Sequence, residues 1–181
     1  RKDDVVIAMA SSGLHSNGYS LARYVLLEKA GLLLDAYVED LDRTLGEELL
    51  EPTRIYAKDC LALADECEVH TFCHVTGGGL AGNLARVIPT GLVAELSRGT
   101  WVPGPIFRLI QNVGKVPQAE MEKTFNMGVG MVAVVAPEDR DRALAMLTAR
   151  HIDAWELGTI RDADDLQAPG AVVLTGDHPG Y

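Results

Sequence analysis

Short apolar runs alternate with amphipathic stretches along the whole chain. The apolar runs predict six β-strands, at residues 5–9, 69–75, 92–96, 130–136, 154–160 and 171–175. Apolar residues spaced three and four apart predict helices between these strands, near residues 19–30, 80–88, 102–111 and 117–125 and from residue 137 onward. Pro52 stands where proline is tolerated in a first helical turn, so a further helix is predicted from there towards Cys67.

This order of strands and helices predicts the fold class. Strands joined by helices are typical of a layered α/β domain, and a shorter link between the last two strands favours a mixed β-sheet flanked by helices. The 181 residues, 48% of them hydrophobic and 23% charged, are enough for one core, so we interpret residues 1–181 as a single domain. The chain begins without Met and enters a strand within a few residues, so we expect a piece of a longer protein.

Composition and charge narrow the range of partners. A formal net charge of −10 repels nucleic acid and anionic lipid, and no run of Lys or Arg with interleaved aromatic residues offsets it. No stretch approaches the roughly 18 apolar residues of a membrane span, and the N-terminus does not resemble a signal peptide. Three cysteines, an odd number, suit a reducing compartment. We therefore expect a cytoplasmic protein with no nucleic-acid or membrane partner.

A polar loop that contains glycines follows the first strand. Its sequence, ASSGLHSNGYS, places Gly13 and Gly18 at the spacing of a nucleotide-binding P-loop, but Tyr19 stands in the lysine position. Glycines beside a helix N-terminus let an anion approach main-chain amides, so we predict anion binding without a basic side chain. The alternative is structural, since the glycines also allow tight turning and Ser16 or Asn17 could cap the helix.

A second glycine-rich loop follows a later strand. In HVTGGGLAGN, three adjacent glycines from Gly77 to Gly79 add to the entropy cost of ordering the backbone, and close approach of a ligand explains them better than a turn. His74 lies at the strand end, where open α/β sheets usually bind ligands, and its imidazole suits proton transfer or a phosphate contact. A hydrogen-bonded structural histidine is the alternative. Asn126 and Gly128 mark a third loop before a strand, where a glycine also commonly marks a bulge.

A metal site built on two histidines is rejected. His70 and His74 have a spacing that invites it, together with Cys73. On a strand, however, four residues span about 13 Å, so the two histidines share a face but cannot share one ion. We therefore expect no metal ion bound by residues of this chain.

Five blocks of the sequence together resemble a known family. They are SSGLHSNGYSLAR, LLEPTRIYAKDCLAL, HVTGGGLAGNLARVIP, PIFRLIQ and TFNMGVGMV. In order and approximate spacing they resemble the C-terminal half of the phosphoribosylformylglycinamidine cyclo-ligases, the aminoimidazole ribonucleotide synthetases of purine biosynthesis. The resemblance runs nearly end to end, and several blocks together are far more specific than one glycine pattern.

The resemblance implies an ATP-dependent ring closure. In that family ATP activates the formyl amide oxygen of formylglycinamidine ribonucleotide, the amidine nitrogen closes the imidazole ring, and ADP and phosphate leave. ATP and Mg²⁺ are then expected mainly in an N-terminal domain that these 181 residues lack. That domain and the substrate are the expected partners, in a homodimeric parent enzyme, and the isolated chain is expected to be inactive.

The resemblance also implies site residues. His74 is expected to act in catalysis or to contact the transition state. The residues expected to bind the substrate or its phosphate are Ser12, Gly13, His15, Asn17, Thr76, Gly77, Gly78, Asn126 and Gly128. Two alternatives stay open: a stand-alone anion-binding or assembly domain of the same fold, and the equivalent domain of a related ATP-dependent enzyme, such as formylglycinamide ribonucleotide amidotransferase or selenophosphate synthetase.

Overall fold

A mixed β-sheet organises the chain. The computed structural model describes residues 1–166 and 171–181. In chain order the strands are β1 (Val5–Ala10), β2 (Tyr37–Val38), β3 (Arg43–Thr44), β4 (Val69–His74), β5 (Leu92–Ser97), β6 (Val129–Val135), β7 (Ala154–Asp162) and β8 (Val172–Thr175). The helices are α1 (Tyr19–Arg23, continued by a π-helical segment, Tyr24–Lys29), α2 (Leu45–Leu49), α3 (Ala57–Glu66), α4 (Gly79–Leu84), α5 (Pro105–Gly114), α6 (Gln118–Thr124), α7 (Arg140–Ala149) and α8 (Ala163–Leu166).

The main sheet has six strands in the order β4-β6-β1-β7-β5-β8, and β2 and β3 form a separate pair. Its neighbours are antiparallel except for the parallel pair β5 and β8. The predicted α/β class with a mixed sheet flanked by helices is therefore confirmed. One supporting reason was wrong, because the last two strands are not neighbours and α8 lies in the connection between them.

Strand β1 lies in the centre of the sheet and is covered on both faces. Val6 and Ala8 pack with α4 on one face, while Ile7 and Met9 pack with α3 and α7 on the other. All four side chains are fully buried. An uninterrupted apolar run is the sequence expected for a strand buried on both faces, and this prediction is confirmed. A further apolar cluster joins α1, α2, α5 and α6.

The predicted start of the helix at Pro52 is wrong, because α3 begins at Ala57. The intervening residues bond to the end of β1 and to the loop that follows it. The Ser12 hydroxyl donates to the Pro52 carbonyl at 2.6 Å, and the Tyr56 hydroxyl donates to the Ala10 carbonyl at 2.8 Å. These tertiary hydrogen bonds override the local preference that a proline at a first helical turn expresses.

Two further differences concern short elements. The helix predicted to reach Ile88 ends at Leu84, where the amide of Val87 bonds to the Leu84 carbonyl three residues back and tightens the chain out of the α-helix. The β2–β3 hairpin was not predicted, because each strand has only two residues and carries no readable period.

Cys60, Cys67 and Cys73 are free thiols. Burial is the main cause that raises the pKa of each, to about 11 for Cys73, so these thiols stay protonated at neutral pH and contribute to packing. Within residues 1–166 and 171–181, no helix is both long enough and apolar enough to span a bilayer.

Candidate active site

Three loops meet at one edge of the sheet. Strands β1 and β4 both pair antiparallel with β6, so they run in the same direction and end where β6 begins. Their ends lie level, since Met9 and His74 pair with the same residue of β6. The loops that converge there are the serine loop after β1 (residues 11–18), the glycine loop after β4 (residues 75–78) and the asparagine loop before β6 (residues 126–128). All the predicted site residues belong to these loops, apart from His74, which directly precedes one of them.

Asn126 closes the serine loop onto the asparagine loop. Its side chain is fully buried. Its Oδ1 accepts from the Gly128 amide at 2.8 Å and from the Ser11 hydroxyl at 3.1 Å, and its Nδ2 donates to the Gly13 carbonyl at 2.9 Å. Both ends of the carboxamide are therefore used inside the protein, so in this structure Asn126 positions the two loops.

The serine loop and the glycine loop are joined directly. The Gly77 amide donates to Asn17 Oδ1 at 3.0 Å. From below, buried Asn83 donates its Nδ2 to the carbonyls of Thr76, Gly77 and Gly79, and the Thr76 hydroxyl donates to Asn83 Oδ1 at 3.1 Å. Sequence reasoning missed Asn83, although an asparagine one helical turn after a glycine run is a usable signal for a side chain that braces the run.

Three aromatic rings gather beside these loops. The ring centroids of His15, Tyr56 and His74 lie 6.1 to 6.4 Å apart. His15 is buried, and its Nε2 accepts from the Ser12 amide at 3.1 Å. The neutral ring then carries its proton on Nδ1, which is buried and meets no acceptor among the residues that the structure describes. His74, by contrast, is exposed and can reach a ligand.

His15 and Tyr56 are both uncharged at neutral pH. Burial, followed by the nearby charges of His74 and Arg54, lowers the pKa of His15 to about 4. Burial likewise raises the pKa of the Tyr56 phenol, although the charge of Arg54 opposes this shift. A phosphate contact through a charged His15, which its predicted phosphate-binding role would favour, is therefore disfavoured near pH 7.

Gly130 provides the space for this ring cluster. A Cβ at this position would overlap the Tyr56 hydroxyl and come within 2.7 Å of His15 Cε1. Since Tyr56 is also held by its hydrogen bond to the Ala10 carbonyl, it has no free route away from such a clash. In the sequence Gly130 is only the first residue of a predicted strand, and its role becomes visible once the two side chains are placed.

The glycines of the two loops serve different purposes. Gly18, with φ +76°, packs its bare Cα against the ring of Phe125, and Gly79, with φ +69°, packs against the carbonyl oxygen of Glu122. Packing and a left-handed backbone explain these two glycines without a ligand. Gly77 and Gly78 are exposed, and a Cβ on either would meet its neighbours only at ordinary contact distances, so space for a ligand lies beside them.

The capping alternative for the serine loop does not hold. Gly18 is the N-cap residue of α1, and no side chain of the described residues caps that helix. Ser16 bonds its hydroxyl to the Thr53 hydroxyl at 3.1 Å, and Asn17 bonds to the glycine loop. The polar side chains of the serine loop thus connect it to other segments.

Residues 52–56, here called the covering segment, lie over the serine loop and bring a cation with them. The segment is tied down by Ser12, by Ser16 and by the hydroxyl of Tyr56. Arg54, which sequence reasoning missed, is half-buried within it. A second cation, Arg86, places Nη2 3.7 Å from the position of a Cβ on Gly78. The sequence predicted anion binding by main-chain amides without a basic side chain, and that remains a prediction; the structure adds that two arginines lie near these loops.

A cavity of about 440 Å³ lies along the serine loop, a size typical of small-molecule sites. Side chains that line it include Arg43, Glu48, Trp101 and Trp155. Arg43 is already paired with Glu51 at 2.7 Å. The cavity therefore offers aromatic walls and a neutralised cation to a ligand that reaches the serine loop.

The described residues do not by themselves fit a Mg²⁺–ATP site. No group of three His, Cys, Asp or Glu side chains among them could hold a metal ion. Two donors that could hold a phosphate, the Ser12 hydroxyl and the Gly77 amide, are bonded within the protein. The loop with P-loop spacing lacks the lysine that contacts nucleotide phosphates, since Tyr19 stands there and donates to the Leu49 carbonyl.

The fold together with the converging loops defines a class. The chain belongs to the family described as AIR synthase related protein, C-terminal domain, whose model matches residues 1–169. Its fold is similar to that of a thiamine-monophosphate kinase from Stenotrophomonas maltophilia K279a, with a TM-score of 0.62 at 16% identity over 98% of this chain and 51% of that one. It is also similar to a hydrogenase maturation protein from E. coli, with a TM-score of 0.60 at 18% identity over 97% of this chain and 47% of that one.

Within this class the most similar proteins share one name. A chain from Streptomyces fradiae, provisionally named as a phosphoribosylformylglycinamidine cyclo-ligase, is 60% identical over 98% of both chains. The phosphoribosylformylglycinamidine cyclo-ligases of Anaeromyxobacter sp. (strain Fw109-5) and Myxococcus xanthus are 55% and 53% identical over 87% of this chain. The matched part covers 45% and 46% of those two proteins, so the chain spans about half their length. The resemblance drawn from the five sequence blocks is confirmed.

Proposed function

We propose that residues 1–181 form the C-terminal, substrate-side domain of a phosphoribosylformylglycinamidine cyclo-ligase, which closes formylglycinamidine ribonucleotide to aminoimidazole ribonucleotide and converts ATP to ADP and phosphate. The observation that carries the proposal is the match over most of the chain to proteins of that name at 53–60% identity. The bond between Asn17 and Gly77 adds support, because it joins the two loops that hold most of the expected substrate-binding residues.

His74 is the proposed catalytic residue. Its exposed imidazole stands at the end of β4, where a substrate bound over the loops would lie within reach. An imidazole there can donate a proton to, or accept one from, the substrate as the ring closes. The uncharged rings of His15 and Tyr56 line its other side.

The other proposed site residues divide into contacts and supports. Gly77 and Gly78 offer exposed backbone to the substrate. His15, whose Nδ1 is buried, supports the serine loop by accepting from the Ser12 amide. Ser12, Gly13, Asn126 and Gly128 hold the loops in shape through the hydrogen bonds described above, and Thr76 does so through Asn83. ATP and Mg²⁺ are proposed to be held mainly by an N-terminal domain, in a homodimeric cytoplasmic enzyme. When bound, ATP supplies the activation of the formyl oxygen.

A chimera tests this proposal. This chain would replace the C-terminal half of the Anaeromyxobacter sp. relative, and release of ADP and of aminoimidazole ribonucleotide would be measured with ATP, Mg²⁺ and substrate. We expect turnover by the chimera and a loss of about 100-fold or more in kcat for His74→Ala. The control is His151→Asn, which changes an exposed histidine after α7. It should keep the turnover rate of the unmutated chimera. A folded chimera without turnover would refute the function, and full activity of His74→Ala would remove His74 from catalysis.

A further inference from the structure

The covering segment fixes the backbone on both sides of Arg54. Before it, the Pro52 carbonyl accepts from the Ser12 hydroxyl at 2.6 Å and the Thr53 hydroxyl bonds to Ser16 at 3.1 Å. After it, the Tyr56 hydroxyl is tied to the end of β1. Since residues on either side are bonded to the serine loop or to the strand that leads into it, the Cα of Arg54 is held beside that loop.

The guanidinium of Arg54 lacks an acidic partner among the side chains that the structure describes. Several arginines have one, since Arg43 pairs with Glu51, Arg98 with Glu122 and Arg150 with Asp59, whereas half-buried Arg161 resembles Arg54 in having none there. No carboxylate among residues 1–164 and 171–181 forms an ion pair or hydrogen bond with Arg54, although the chain has 26 acidic and only 16 basic side chains. With no carboxylate bonded to it, the guanidinium of Arg54 keeps its hydrogen-bond donors available to an anion.

The surroundings of Arg54 favour an anion as its missing partner. Its positive charge acts to lower the pKa of both His15 and Tyr56, so Arg54 lies near the ring cluster. Those two rings are uncharged at neutral pH, and Glu51, the nearest carboxylate in sequence, is already paired with Arg43. A planar guanidinium matches the geometry of a phosphate group, to which it can donate two parallel hydrogen bonds.

We propose that Arg54 binds the phosphate monoester of the substrate beside the serine loop, so that the covering segment supplies the charge that the loop itself lacks. This inference rests on the proposed function, and it names the group that holds the substrate's phosphate. The role of Ser12 and Ser16 is then to hold the segment that carries Arg54.

Binding of ribose 5-phosphate to the 181-residue chain tests the inference, with ribose as the uncharged control ligand. The titration is followed by the NMR shifts of the Arg54 Nε–H group and of the main-chain amides of the serine and glycine loops. We expect saturable shifts with ribose 5-phosphate and none with ribose. Arg54→Gln should raise Kd about tenfold or more, and Arg54→Lys, which keeps the charge but loses the planar fork, should lie between.

Two matched variants remove one positive charge elsewhere. Lys58→Gln changes an exposed cation on the adjacent helix α3, and Arg86→Gln removes the cation beside Gly78. Both should change Kd less than about threefold, since long-range charge alone is screened. Wild-type affinity in Arg54→Gln, absence of any shift in the wild-type chain, or a larger loss in Arg86→Gln than in Arg54→Gln would each overturn the inference.

The titration needs neither ATP nor turnover, so its outcome is separate from that of the chimera. An active chimera combined with binding that does not depend on Arg54 would leave the function standing and remove this inference. If binding depends on Arg54 but the chimera is inactive, the phosphate-binding role of Arg54 would stand and the proposed function would be refuted.

Discussion

At the scale of single residues, three adjacent glycines turn out to have three environments. Gly77 donates its amide to Asn17, Gly78 is exposed with φ +104°, and Gly79 packs against α6. The letters GGG are identical in the sequence, so no pattern could separate these roles. What separates them is the position of the Glu122 carbonyl, which comes from a helix more than 40 residues later in the chain.

Gly79→Ala should therefore destabilise the protein even without a ligand. The new Cβ would overlap a backbone carbonyl that cannot move alone, and the residue would keep a left-handed φ of +69°. Overpacking and left-handed strain together predict a loss of about 3 kcal/mol in the free energy of unfolding, measured by urea denaturation. The control is Gly82→Ala in the same helix, where nothing lies within 4 Å of the new Cβ and a slight gain is expected. Equal stabilities of the two variants would contradict this account.

At the scale of elements, the segment before α3 shows how tertiary contacts overrule local preference. Pro52 is a reasonable first helical residue by sequence, yet the helix begins five residues later because the chain is bonded across the serine loop. Sequence patterns predicted the existence and type of most other elements, since those depend on period and length. The covering segment has no hydrophobic periodicity from which its structure could be predicted, and its hydrogen-bond partners lie about 40 residues earlier in the chain.

Loss of the two serine hydroxyls should loosen the covering segment. In Ser12→Ala/Ser16→Ala both hydrogen bonds to residues 52 and 53 are removed, each worth about 1 kcal/mol. The segment should open more often, so trypsin should cut after Arg54 roughly tenfold faster, as seen by mass spectrometry of timed digests. Ser20→Ala, an exposed serine of α1, is the control and should be cut at the wild-type rate. An unchanged rate in the double variant would mean that other contacts hold the segment.

At the scale of the whole molecule, the sheet explains which parts of the site were predictable. The order of the strands places the ends of β1 and β4 level with the start of β6, so the residues selected by the glycine patterns and the family resemblance do converge. The patterns did not select four residues that shape the site, which are Asn83, Tyr56, Gly130 and Arg54. The role of Gly130 is to leave space for two side chains, and the roles of the others depend on tertiary contacts that no sequence pattern shows.

The buried ring of His15 should make global stability depend on pH. Its folded-state pKa of about 4 lies below the ordinary value of 6.5, so the unfolded chain binds a proton that the folded chain does not. The resulting stability is complete above pH 6.5 and is lost as the pH falls towards 4, by about 3 kcal/mol in urea unfolding.

A matched pair of variants isolates this contribution. His15 and His151 both have positive φ, near 60°, which asparagine tolerates well. His15→Asn should flatten the pH dependence between pH 6.5 and 4, while His151→Asn, an exposed site, should keep it. Acidic groups such as Glu122, whose pKa is lowered despite its burial, act in both variants alike and cancel in the comparison. Parallel curves for the two variants would rule out His15 as the source.

The contact between Asn17 and Gly77 has a consequence for how any metabolite would enter. The Gly77 amide, which could bind a ligand, already donates to the carboxamide oxygen of Asn17, so Asn17 competes with the ligand for this donor. Ligand binding to this amide replaces the hydrogen bond to Asn17. The observed affinity then equals the intrinsic affinity multiplied by the fraction of molecules in which that hydrogen bond is broken. The Asn17 side chain would then hold the glycine loop in its binding conformation when no ligand is present, and it would favour release of a bound ligand by competing for the Gly77 amide.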